Sequence, residues 1–370
     1  MALSLTGIMQ PTRIRDIAEA LGISIGTVDR ALNDRSGVNP MTRARVLQMA
    51  ARMGYRPNLA ARFLSSRRKL RISINVPAQI AVFWDAVRDG IIQETNQLAP
   101  ASVQLEFRTF PRFASGEEEC FEQALASRVD GIILATGVPD RLRPMIRRAS
   151  RSRIPVVAVV TDAPGTERLG VVGVDSLASG SLAAELLSRF CGAAGKLAVV
   201  TGDLRISEHA EKFRSFQAAI ASFFPRIQVL PAVENHEYET EAYNQCIALL
   251  RRDPDLKGIY ISTANSTPVL KALQDLGRLG SVVVITTDLF PELVQHLESG
   301  SVIATFYQRP RSQGQMAFRM LHEFLVQGSC PAHQLRLAPH LVMKSNLEFF
   351  LKRVDFRRNE PEAEAVTTSR

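Results

Sequence analysis

Residues 12–32 read TRIRDIAEALGISIGTVDRAL, and this stretch decides the fold of the first part of the chain. Its first half is apolar at the spacing of one helix face, at Ile14, Ile17, Ala18 and Leu21. Thr12 is placed to cap the start of such a helix, and Gly22 is placed to end it. The stretch therefore predicts one short amphipathic helix followed by a tight turn.

A second helix is predicted directly after this turn. Ser24 is placed to cap it, and its inward positions are Ile25 or Val28, together with Leu32. Three polar side chains then face outward, namely Thr27, Asp29 and Arg30. Two short helices joined by such a turn form a helix-turn-helix, although a pattern this short also arises by chance.

A third helix follows in MTRARVLQMAARMG, residues 41–54. Asn39 is placed to cap it, and Pro40 opens it. The pattern buries Val46, Met49, Ala50 and Met53 and exposes Arg43, Arg45 and Arg52. A three-helix unit of this size buries little surface, so we attribute the outward arginines to phosphate contact.

Positive charge is concentrated in the first 71 residues. They carry 13 Lys or Arg against 4 Asp or Glu, whereas the other 299 residues carry 32 against 33. Because each neutralised phosphate releases condensed counterions, a basic head on a near-neutral body indicates polyanion binding. The basic stretch SSRRKLR, residues 65–71, has no apolar period and marks the boundary between head and body.

The composition argues against several classes of protein. The chain has 370 residues, 46% of them hydrophobic, which is enough for two or three domains. It has no uninterrupted apolar run of about 18 residues and no export signal at its start, so we expect neither membrane insertion nor export. The four cysteines lack a Cys-x-x-Cys pair and are interpreted as reduced packing residues: Cys120, Cys191, Cys246 and Cys330.

In the body, apolar strand patterns alternate with helical patterns. The first half contains LRISINVP, VQLEFRTF, GIILAT, PVVAVVT and VVGV. The second half contains KLAVVTG, QVLPAV, KGIYIST, SVVVITTD and SVIATFY. Near-continuous apolar strands separated by helices indicate parallel sheets, and two such halves predict two similar α/β lobes. Ligands of such sheets bind beyond the carboxyl ends of the strands.

The stretch 12–64 resembles the DNA-binding head of the lactose-repressor (LacI/GalR) family over its whole length. The matching motifs are TV-x-R-x-LN, V-x-x-x-TR-x-RV and GY-x-PN-x-x-A-x-x-L, in that order. The resemblance implies a second helix that enters the major groove of DNA. The DNA-binding residues that it implies are Ser24, Ile25, Gly26, Thr27, Arg30, Asn33, Thr42, Tyr55, Asn58, Ala61 and Leu64.

Within this set the resemblance implies different roles. Ile25 and Gly26 stand at the main specificity positions, and Arg30 stands at a base-reading arginine suited to guanine. Thr27 and Thr42 would contact phosphates. Two departures, Gly26 without a base-reading side chain and Asp29 in place of a serine near a phosphate, predict an operator unlike those usual in the family.

The resemblance also implies a hinge helix around Asn58, Ala61 and Leu64. In the family this helix folds only on DNA and pushes a leucine into a central minor-groove step, which kinks the duplex. Leu64 occupies that position. The alternative is an ordinary apolar residue that packs against the body.

About residues 72–350 resemble the ribose-type periplasmic binding proteins, whose fold the repressor family uses as its effector domain. The resemblance implies a small sugar-like effector held between the lobes by stacked aromatics and by polar groups that pair with hydroxyls. The predicted effector-binding residues are Phe83, Trp84, Asp162, His209, Lys212, Tyr238, Asn265, Asp288 and Gln308. For the polar residues after strands, ordinary loop capping is the alternative.

Two positions depart from the pattern of the sugar binders. Lys212 replaces an arginine that grips two hydroxyls, and a lysine is a point charge and not a bidentate donor. Ala81 stands where ribose binders have an asparagine. The ligand is then either a different sugar or a compound whose acidic group meets Lys212 and His209.

Other chemically capable side chains match no known motif. Glu234, His236, Glu237 and Glu239 have no zinc or calcium spacing. Ser207 and His209 lack a surrounding G-x-S-x-G. The chain has neither a Walker motif nor a dinucleotide-binding glycine motif after a strand. We therefore expect no catalytic residue, no metal and no cofactor.

These patterns together predict a small all-α helix-turn-helix head and an α/β body of two Rossmann-like lobes, and the resemblance implies that the body is of periplasmic-binding-protein type I. The predicted domains are the head at 1–56, hinge helix and linker at 57–71, a bilobed effector-binding and dimerisation domain at 72–353, and a disordered tail at 354–370. We expect a cytoplasmic, homodimeric, sugar-controlled repressor that binds a pseudopalindromic duplex operator and is not an enzyme. The alternatives are a sugar-binding protein and a sugar kinase-like enzyme with an accessory DNA-binding head.

Overall fold

The computed structural model describes residues 12–32, 36–53, 69–328 and 332–352. The chain divides into two compact units, one made of residues 1–67 with 324–329 and the other of residues 68–323 with 330–370. Among the described residues, no helix is both long enough and apolar enough to cross a membrane. Five predicted DNA-binding residues lie outside the described residues, as does the predicted tail: Asn33, Tyr55, Asn58, Ala61 and Leu64.

The first unit contains the three predicted helices, α1 (Ile14–Leu21), α2 (Ile25–Leu32) and α3 (Pro40–Arg52). One apolar cluster joins all three of them, formed by Ile17, Ala18, Val28, Ala31, Val46 and Ala50. The cluster residues of α2 are three apart and those of α3 are four apart, and on α1 the partly buried Ile14 and Leu21 extend Ile17 and Ala18 to the predicted helical spacing. The helix-turn-helix and its third helix are confirmed.

Three of the predicted helix ends are also confirmed. Ser24 Oγ accepts a hydrogen bond from the Thr27 N–H at 3.1 Å, and Asn39 Oδ1 accepts one from the Thr42 N–H at 2.7 Å. Both side chains satisfy backbone donors that a helix start leaves unpaired. Gly22 ends α1 in the left-handed conformation, with φ of 64°.

Thr12 does not cap α1, so that prediction was wrong. The N-cap residue is Arg13, whose backbone N–H donates to the Asp16 carboxylate at 2.7 Å. The Thr12 hydroxyl donates instead to the carbonyl oxygen of Met53, 2.7 Å away at the end of α3. Asp16, the third residue of α1, therefore caps the start of that helix. The Thr12 side chain instead links the segment before α1 to the end of α3.

Burial within the head corrects two further details. Of the alternatives for α2, Val28 is fully buried, whereas 53% of Ile25 is exposed. Arg45 and Arg52 are exposed as predicted, but Arg43 is half-buried. Arg43 lies three residues before the buried Val46 on the same face of α3, so its stem is covered.

The first lobe of the body is a six-stranded parallel sheet. Its strands are β1 (Leu70–Pro77), β2 (Val103–Phe110), β3 (Gly131–Leu134), β4 (Val156–Val159), β5 (Gly170–Val174) and β12 (Gln334–Leu337). Its helices are α4 (Ala81–Leu98), α5 (Glu117–Ala126), α6 (Pro139–Arg151) and α12 (Pro310–Gln327). The strand order is β12-β5-β4-β3-β1-β2.

The second lobe repeats this arrangement. Its strands are β6 (Gly195–Thr201), β7 (Ile227–Val229), β8 (Val233–Glu234), β9 (Leu256–Ile261), β10 (Val283–Thr287), β11 (Ala304–Tyr307) and β13 (His340–Val342). Its helices are α7 (Ser176–Phe190), α8 (Ser207–Phe223), α9 (Glu239–Arg252), α10 (Thr267–Asp275), α11 (Pro291–Ser299) and α13 (Leu347–Leu351), with a 3-10 turn at Lys344–Asn346. The order is β13-β11-β10-β9-β6-β7 with β8 beside β6, and only β13 is antiparallel to its neighbour.

The sheet order places a switch point in each lobe, between β1 and β3 and between β6 and β9, where successive strands are added on opposite sides. A crevice opens at such a point beyond the carboxyl ends of the strands. The chain crosses between the lobes at Asp175, at Gln308–Arg309 and at Ala338–Pro339. Because of these crossings, the two crevices face each other across the gap between the lobes.

Helices α4 and α12 of the first lobe cross at two glycines. A Cβ on Gly90 would lie 2.0 Å from the carbonyl oxygen of Arg311, and one on Gly314 would lie 2.1 Å from that of Val87. Atoms cannot approach so closely, so the helices pack backbone against backbone only because neither position carries a side chain. This contact attaches the helix after the second crossing to the first lobe.

Candidate functional site

A crevice with about 370 Å³ of empty space, part of it open to solvent, lies between the two lobes, and we call it the cleft. The first lobe lines it with Gln79, Ile80, Phe83, Trp84, Phe113 and Val160. The second lobe lines it chiefly with Glu208, His209, Lys212, Glu237, Asp288 and Gln308. All of these residues follow the carboxyl ends of strands, where the sheet order predicts a ligand site.

Aromatic rings form the wall of the cleft on the first lobe. The ring centroids of Phe83 and Trp84 are 5.2 Å apart at 81°, and those of Trp84 and Phe113 are 5.9 Å apart at 76°. Phe83 and Trp84 come from the first turn of α4, which begins after Ile80 in a left-handed conformation with φ of 51°. Edge-to-face packing holds these rings in place and leaves an apolar surface for a ligand.

A buried ion pair forms the opposite side of the cleft. Lys212 Nζ lies 2.5 Å from Glu208 Oε1, one helical turn earlier on α8. The same ammonium donates to Gln308 Oε1 at 3.0 Å and to the Ser262 carbonyl oxygen at 3.2 Å. Burial alone would raise the pKa of Glu208, but the nearby Lys212 and other positive groups together hold that pKa below its usual range. The pKa of Lys212 is raised, because Glu208 outweighs the effect of burial.

Asp288 and Gln308 extend this network to the second crossing between the lobes. The backbone N–H of Gln308 donates to Asp288 Oδ1 at 3.0 Å, and its Nε2 donates to Asp288 Oδ2 at 2.7 Å. Asp288 has φ of 70°, an uncommon conformation for this residue type that marks a constrained site. Burial raises the pKa of the Asp288 carboxyl to about 6. Lys212, Gln308 and Asp288 thus form one chain of hydrogen bonds. Its middle member, Gln308, belongs to a segment that crosses between the lobes.

Glu237 and His209 form a second polar group in the cleft. Glu237 Oε1 accepts from the Thr263 hydroxyl at 2.5 Å and lies 3.8 Å from His209 Nε2. The other ring nitrogen of His209 lies 3.1 Å from the backbone N–H of Asp203, which can donate to it. Burial raises the pKa of the Glu237 carboxyl. Glycine at 202 makes room for both side chains, since a Cβ there would lie 2.3 Å from Glu237 Oε1.

In the head, α2 presents a mixed surface. Ile25, Gly26 and Arg30 are exposed, as residues that read bases must be. The Thr27 hydroxyl lies 2.8 Å from Ser24 Oγ, so these two predicted contacts are neighbours at the start of the helix. The backbone N–H of Thr42 is occupied by the Asn39 cap at the start of α3.

Residues 72–329 match the family model of the periplasmic binding protein domain. The chain belongs to this family. Residues 13–58 match a second model, that of the bacterial regulatory proteins of the lacI family. The predicted resemblances of head and body are therefore both confirmed, and the two matches occur on one chain.

Individual curated proteins are also similar to this chain. Catabolite control protein A of Staphylococcus epidermidis is 30% identical over 150 residues, which cover 40% of this chain and 44% of that protein. The HTH-type transcriptional regulator AglR of Rhizobium meliloti is 26% identical over 344 residues, which cover 90% of this chain and 94% of that protein. The matched region thus spans less than half of the first of these relatives.

Among solved structures, the body is similar to GanP, a glucose-galactose binding protein from Geobacillus stearothermophilus. The TM-score is 0.69 at 26% identity, and the match covers 76% of this chain and 99% of that protein. This similarity agrees with the predicted fold class of two parallel-sheet lobes.

The periplasmic binding protein fold brings six of the nine predicted effector-binding residues to the cleft: Phe83, Trp84, His209, Lys212, Asp288 and Gln308. The other three are not among the residues that line it. Asp162 is held by Arg168, with hydrogen bonds of 2.5 and 2.9 Å, and by Arg336 at 3.3 Å. The Asp162 carboxylate therefore forms ion pairs with these arginines within the first lobe and does not line the cleft.

Tyr238 and Asn265 also have positions other than the cleft wall. The Arg112 guanidinium lies 3.8 Å from the centre of the Tyr238 ring, a cation–π contact that links the first lobe to the second. Asn265 is buried, and its backbone N–H donates to Thr263 Oγ1 at 3.3 Å. Tyr238 therefore contacts Arg112 of the opposite lobe. Asn265 is hydrogen-bonded through its backbone to Thr263, whose hydroxyl in turn donates to Glu237.

Sequence reasoning missed Glu208, Phe113 and the role of Glu237. Glu208 precedes Lys212 by four residues, and this spacing could have indicated an ion pair on one helix face. Glu237 was considered only with Glu234, His236 and Glu239 as a possible metal group. His236 pairs with Glu241 at 2.9 Å, and the described residues contain no group of three or more such side chains suited to a metal.

Proposed function

We propose that this protein is a sequence-specific DNA-binding transcriptional regulator, a repressor, controlled by a small sugar-like effector bound in the cleft. One observation carries the proposal: a lacI-family regulatory domain and a periplasmic binding protein domain occur on the same chain, at residues 13–58 and 72–329. Two relatives of the chain are named catabolite control protein A and HTH-type transcriptional regulator AglR, which favours this function over a sugar receptor or a kinase-like enzyme.

The head is proposed to contact the operator through α2 and the start of α3. Ile25, Gly26 and Arg30 would meet base edges in the major groove, because they are exposed on one helix. Thr27 and Thr42 would meet phosphates, with Ser24 beside them. The hinge contacts at Asn58, Ala61 and Leu64, and those at Asn33 and Tyr55, remain predictions from the family resemblance.

The proposed assembly is a cytoplasmic homodimer on a pseudopalindromic operator, with one head for each half-site. In this proposal residues 1–56 form the head, 57–71 the hinge and linker, and 72–353 the effector-binding and dimerisation domain, before a tail at 354–370. The body has no proposed catalytic role.

Control by the effector is proposed to pass through the second crossing between the lobes. Gln308 lines the cleft and bonds to both Lys212 and Asp288, and the chain leaves the second lobe directly after it. A ligand that binds one arrangement of the lobes more tightly than the other would shift their relative angle and so the spacing of two hinges. Without such differential affinity the ligand could not control DNA binding.

A selection experiment tests this function without a known operator. The full-length protein is incubated with a pool of random duplexes, and bound DNA is amplified and sequenced over several rounds. The proposal predicts enrichment of a pseudopalindromic sequence, bound with an affinity that falls steeply as salt rises. An Arg30→Ala variant should lose the enriched sequence preference. No enrichment with the wild-type protein would reject the proposed function.

A further inference from the structure

The ammonium group of Lys212 has no donor left for a ligand. An ammonium carries three N–H donors, and this one has three acceptors in place, Glu208 Oε1 at 2.5 Å, Gln308 Oε1 at 3.0 Å and the Ser262 carbonyl at 3.2 Å. Only 1% of the side chain is exposed. A carboxylate or phosphate on the ligand would have to displace one of these acceptors to reach the charge.

The Glu237 carboxylate is in the opposite situation. Its Oε1 accepts from the Thr263 hydroxyl, but its Oε2 is buried and has no hydrogen-bond partner among the described residues. The Glu237 side chain is 5% exposed and lines the cleft. A buried acceptor left unpaired is costly, so a donor on the ligand that meets Oε2 gains more than the same donor gains elsewhere.

The charged groups that line the cleft disfavour an anionic ligand. Three carboxyl groups line it, those of Glu208, Glu237 and Asp288, against one ammonium and the imidazole of His209. Burial raises the pKa of both Glu237 and Asp288, which means that negative charge is already disfavoured there. An anionic ligand would add repulsion at short range in a region with little water to screen it.

The aromatic wall supplies the remaining recognition. Trp84 is 2% and Phe83 is 6% exposed, and both rings border the cavity. Such a surface favours the C–H face of a ring and offers no partner to an anionic group.

We propose that the effector is a neutral sugar or polyol, that one of its hydroxyl groups donates to Glu237 Oε2, and that the cleft rejects sugar acids and sugar phosphates. This inference rests on the proposed function, because it takes the cleft as the effector site. The presence of Lys212 left two ligand classes open, a neutral sugar and a compound with an acidic group, and the proposal selects the neutral sugar.

The first test is a titration of the full-length protein, followed by Trp84 fluorescence and by calorimetry. The probes are glucose, galactose, ribose, arabinose and myo-inositol, each neutral, together with glucuronate and glucose 6-phosphate as anionic counterparts. The expected result is saturable binding of at least one neutral probe, with each anionic probe at least about tenfold weaker. Tighter or equal binding of an anionic probe overturns the proposal, and so does failure of every neutral probe to bind.

Two variants test the assigned residues with the neutral probe that binds. Glu237→Gln should weaken its binding roughly tenfold or more, because Thr263 holds the amide oxygen and the amide NH₂ then replaces the acceptor at Oε2. Glu239→Gln, an exposed position on the same segment, is the matched control and should bind like the wild type. Unchanged binding by Glu237→Gln overturns the assignment of the hydroxyl to Glu237.

The second variant, Glu208→Gln, releases the ammonium of Lys212 from its neutralising partner. The ratio of glucuronate affinity to neutral-probe affinity should rise, and no rise would contradict the argument that Lys212 is occupied by Glu208. DNA binding by the same preparations distinguishes the two levels of the account. Intact DNA binding with the wrong ligand preference rejects only the ligand class, whereas sugar binding without any DNA binding rejects the regulator.

Discussion

Lys212 Nζ lies 2.5 Å from Glu208 Oε1, and both groups are buried where the second lobe faces the cleft. A buried ion pair of this kind stabilises a fold little by itself, because both ions lose their hydration. Substitution of only one of the two residues is strongly destabilising, because the other charge is then left buried and unpaired. The pair therefore links the stability of the second lobe to the charge of the ligand site.

Replacement of Lys212 by Met tests this link. Lys212→Met should lower the free energy of unfolding by about 3–5 kcal/mol, because Glu208 loses the ammonium group that is hydrogen-bonded to it. The double variant Lys212→Met/Glu208→Leu should recover most of that loss. Urea unfolding followed by circular dichroism measures both. Lys271→Met, which breaks an exposed pair with Asp275, is the control and should cost about 1 kcal/mol or less. Equal losses at the two lysines would contradict the buried pairing.

The raised pKa of Asp288 predicts a dependence of stability on pH. A carboxyl whose pKa rises from 3.8 to about 6 on folding stabilises the folded chain below pH 3.8, and this contribution is lost as the pH rises through 6. Relative to Asp288→Asn, the wild-type protein should lose about 3 kcal/mol of unfolding free energy between these pH values. Urea unfolding of both proteins from pH 4 to pH 7 gives the difference. A difference independent of pH would show that Asp288 titrates normally.

The glycine crossing of α4 and α12 predicts a large effect from one methyl group. Gly90→Ala should destabilise the body by roughly 1–3 kcal/mol, because the new Cβ would overlap the Arg311 carbonyl and force the helices apart. Asn96→Ala, at an exposed position of the same helix, provides the comparison and should have little effect. Thermal unfolding of the two variants side by side is sufficient. An unchanged midpoint for Gly90→Ala would mean that the helices do not touch there.

The resemblance to a hinge helix around Asn58, Ala61 and Leu64 predicts a specific role for Leu64. Leu64→Ala should weaken binding to the selected operator while non-specific, salt-driven binding stays nearly intact, because a minor-groove wedge acts only where the DNA kinks. Fluorescence anisotropy with operator and random duplexes at several salt concentrations separates the two components. Equal loss on both duplexes would remove the wedge from the account.

Much of this fold could be predicted because its strands are buried on both faces. GIILAT and SVVVITTD contain the uninterrupted apolar runs IILA and VVVI, and such runs between helical patterns leave little choice but a parallel sheet. The strands that escaped prediction, β12 and β13, are edge strands of QLRL and HLV, which are too short and too polar to show a pattern. QVLPAV, predicted as one strand, forms β7 and β8, because its proline cannot donate to a ladder.

The site was predictable to the extent that it depends on strand ends. Asp288 and Gln308 follow β10 and β11 directly, so the sheet brings them to the cleft. Asp162 also follows a strand closely, but Arg168 and Arg336 hold it elsewhere, and Arg336 is remote in sequence. Tyr238 likewise depends on Arg112 of the opposite lobe. Pairings between distant parts of the chain leave no local pattern to read.

The most direct test of the central claim, control of DNA by a ligand in the cleft, is the effect of that ligand on operator affinity. The full-length protein is titrated onto a fluorescent duplex of the selected sequence, with and without a saturating concentration of the neutral probe that binds. The account predicts a change in the operator Kd of about fivefold or more, in either direction, that Gln308→Ala reduces or abolishes. An identical operator Kd with and without the bound ligand would contradict it.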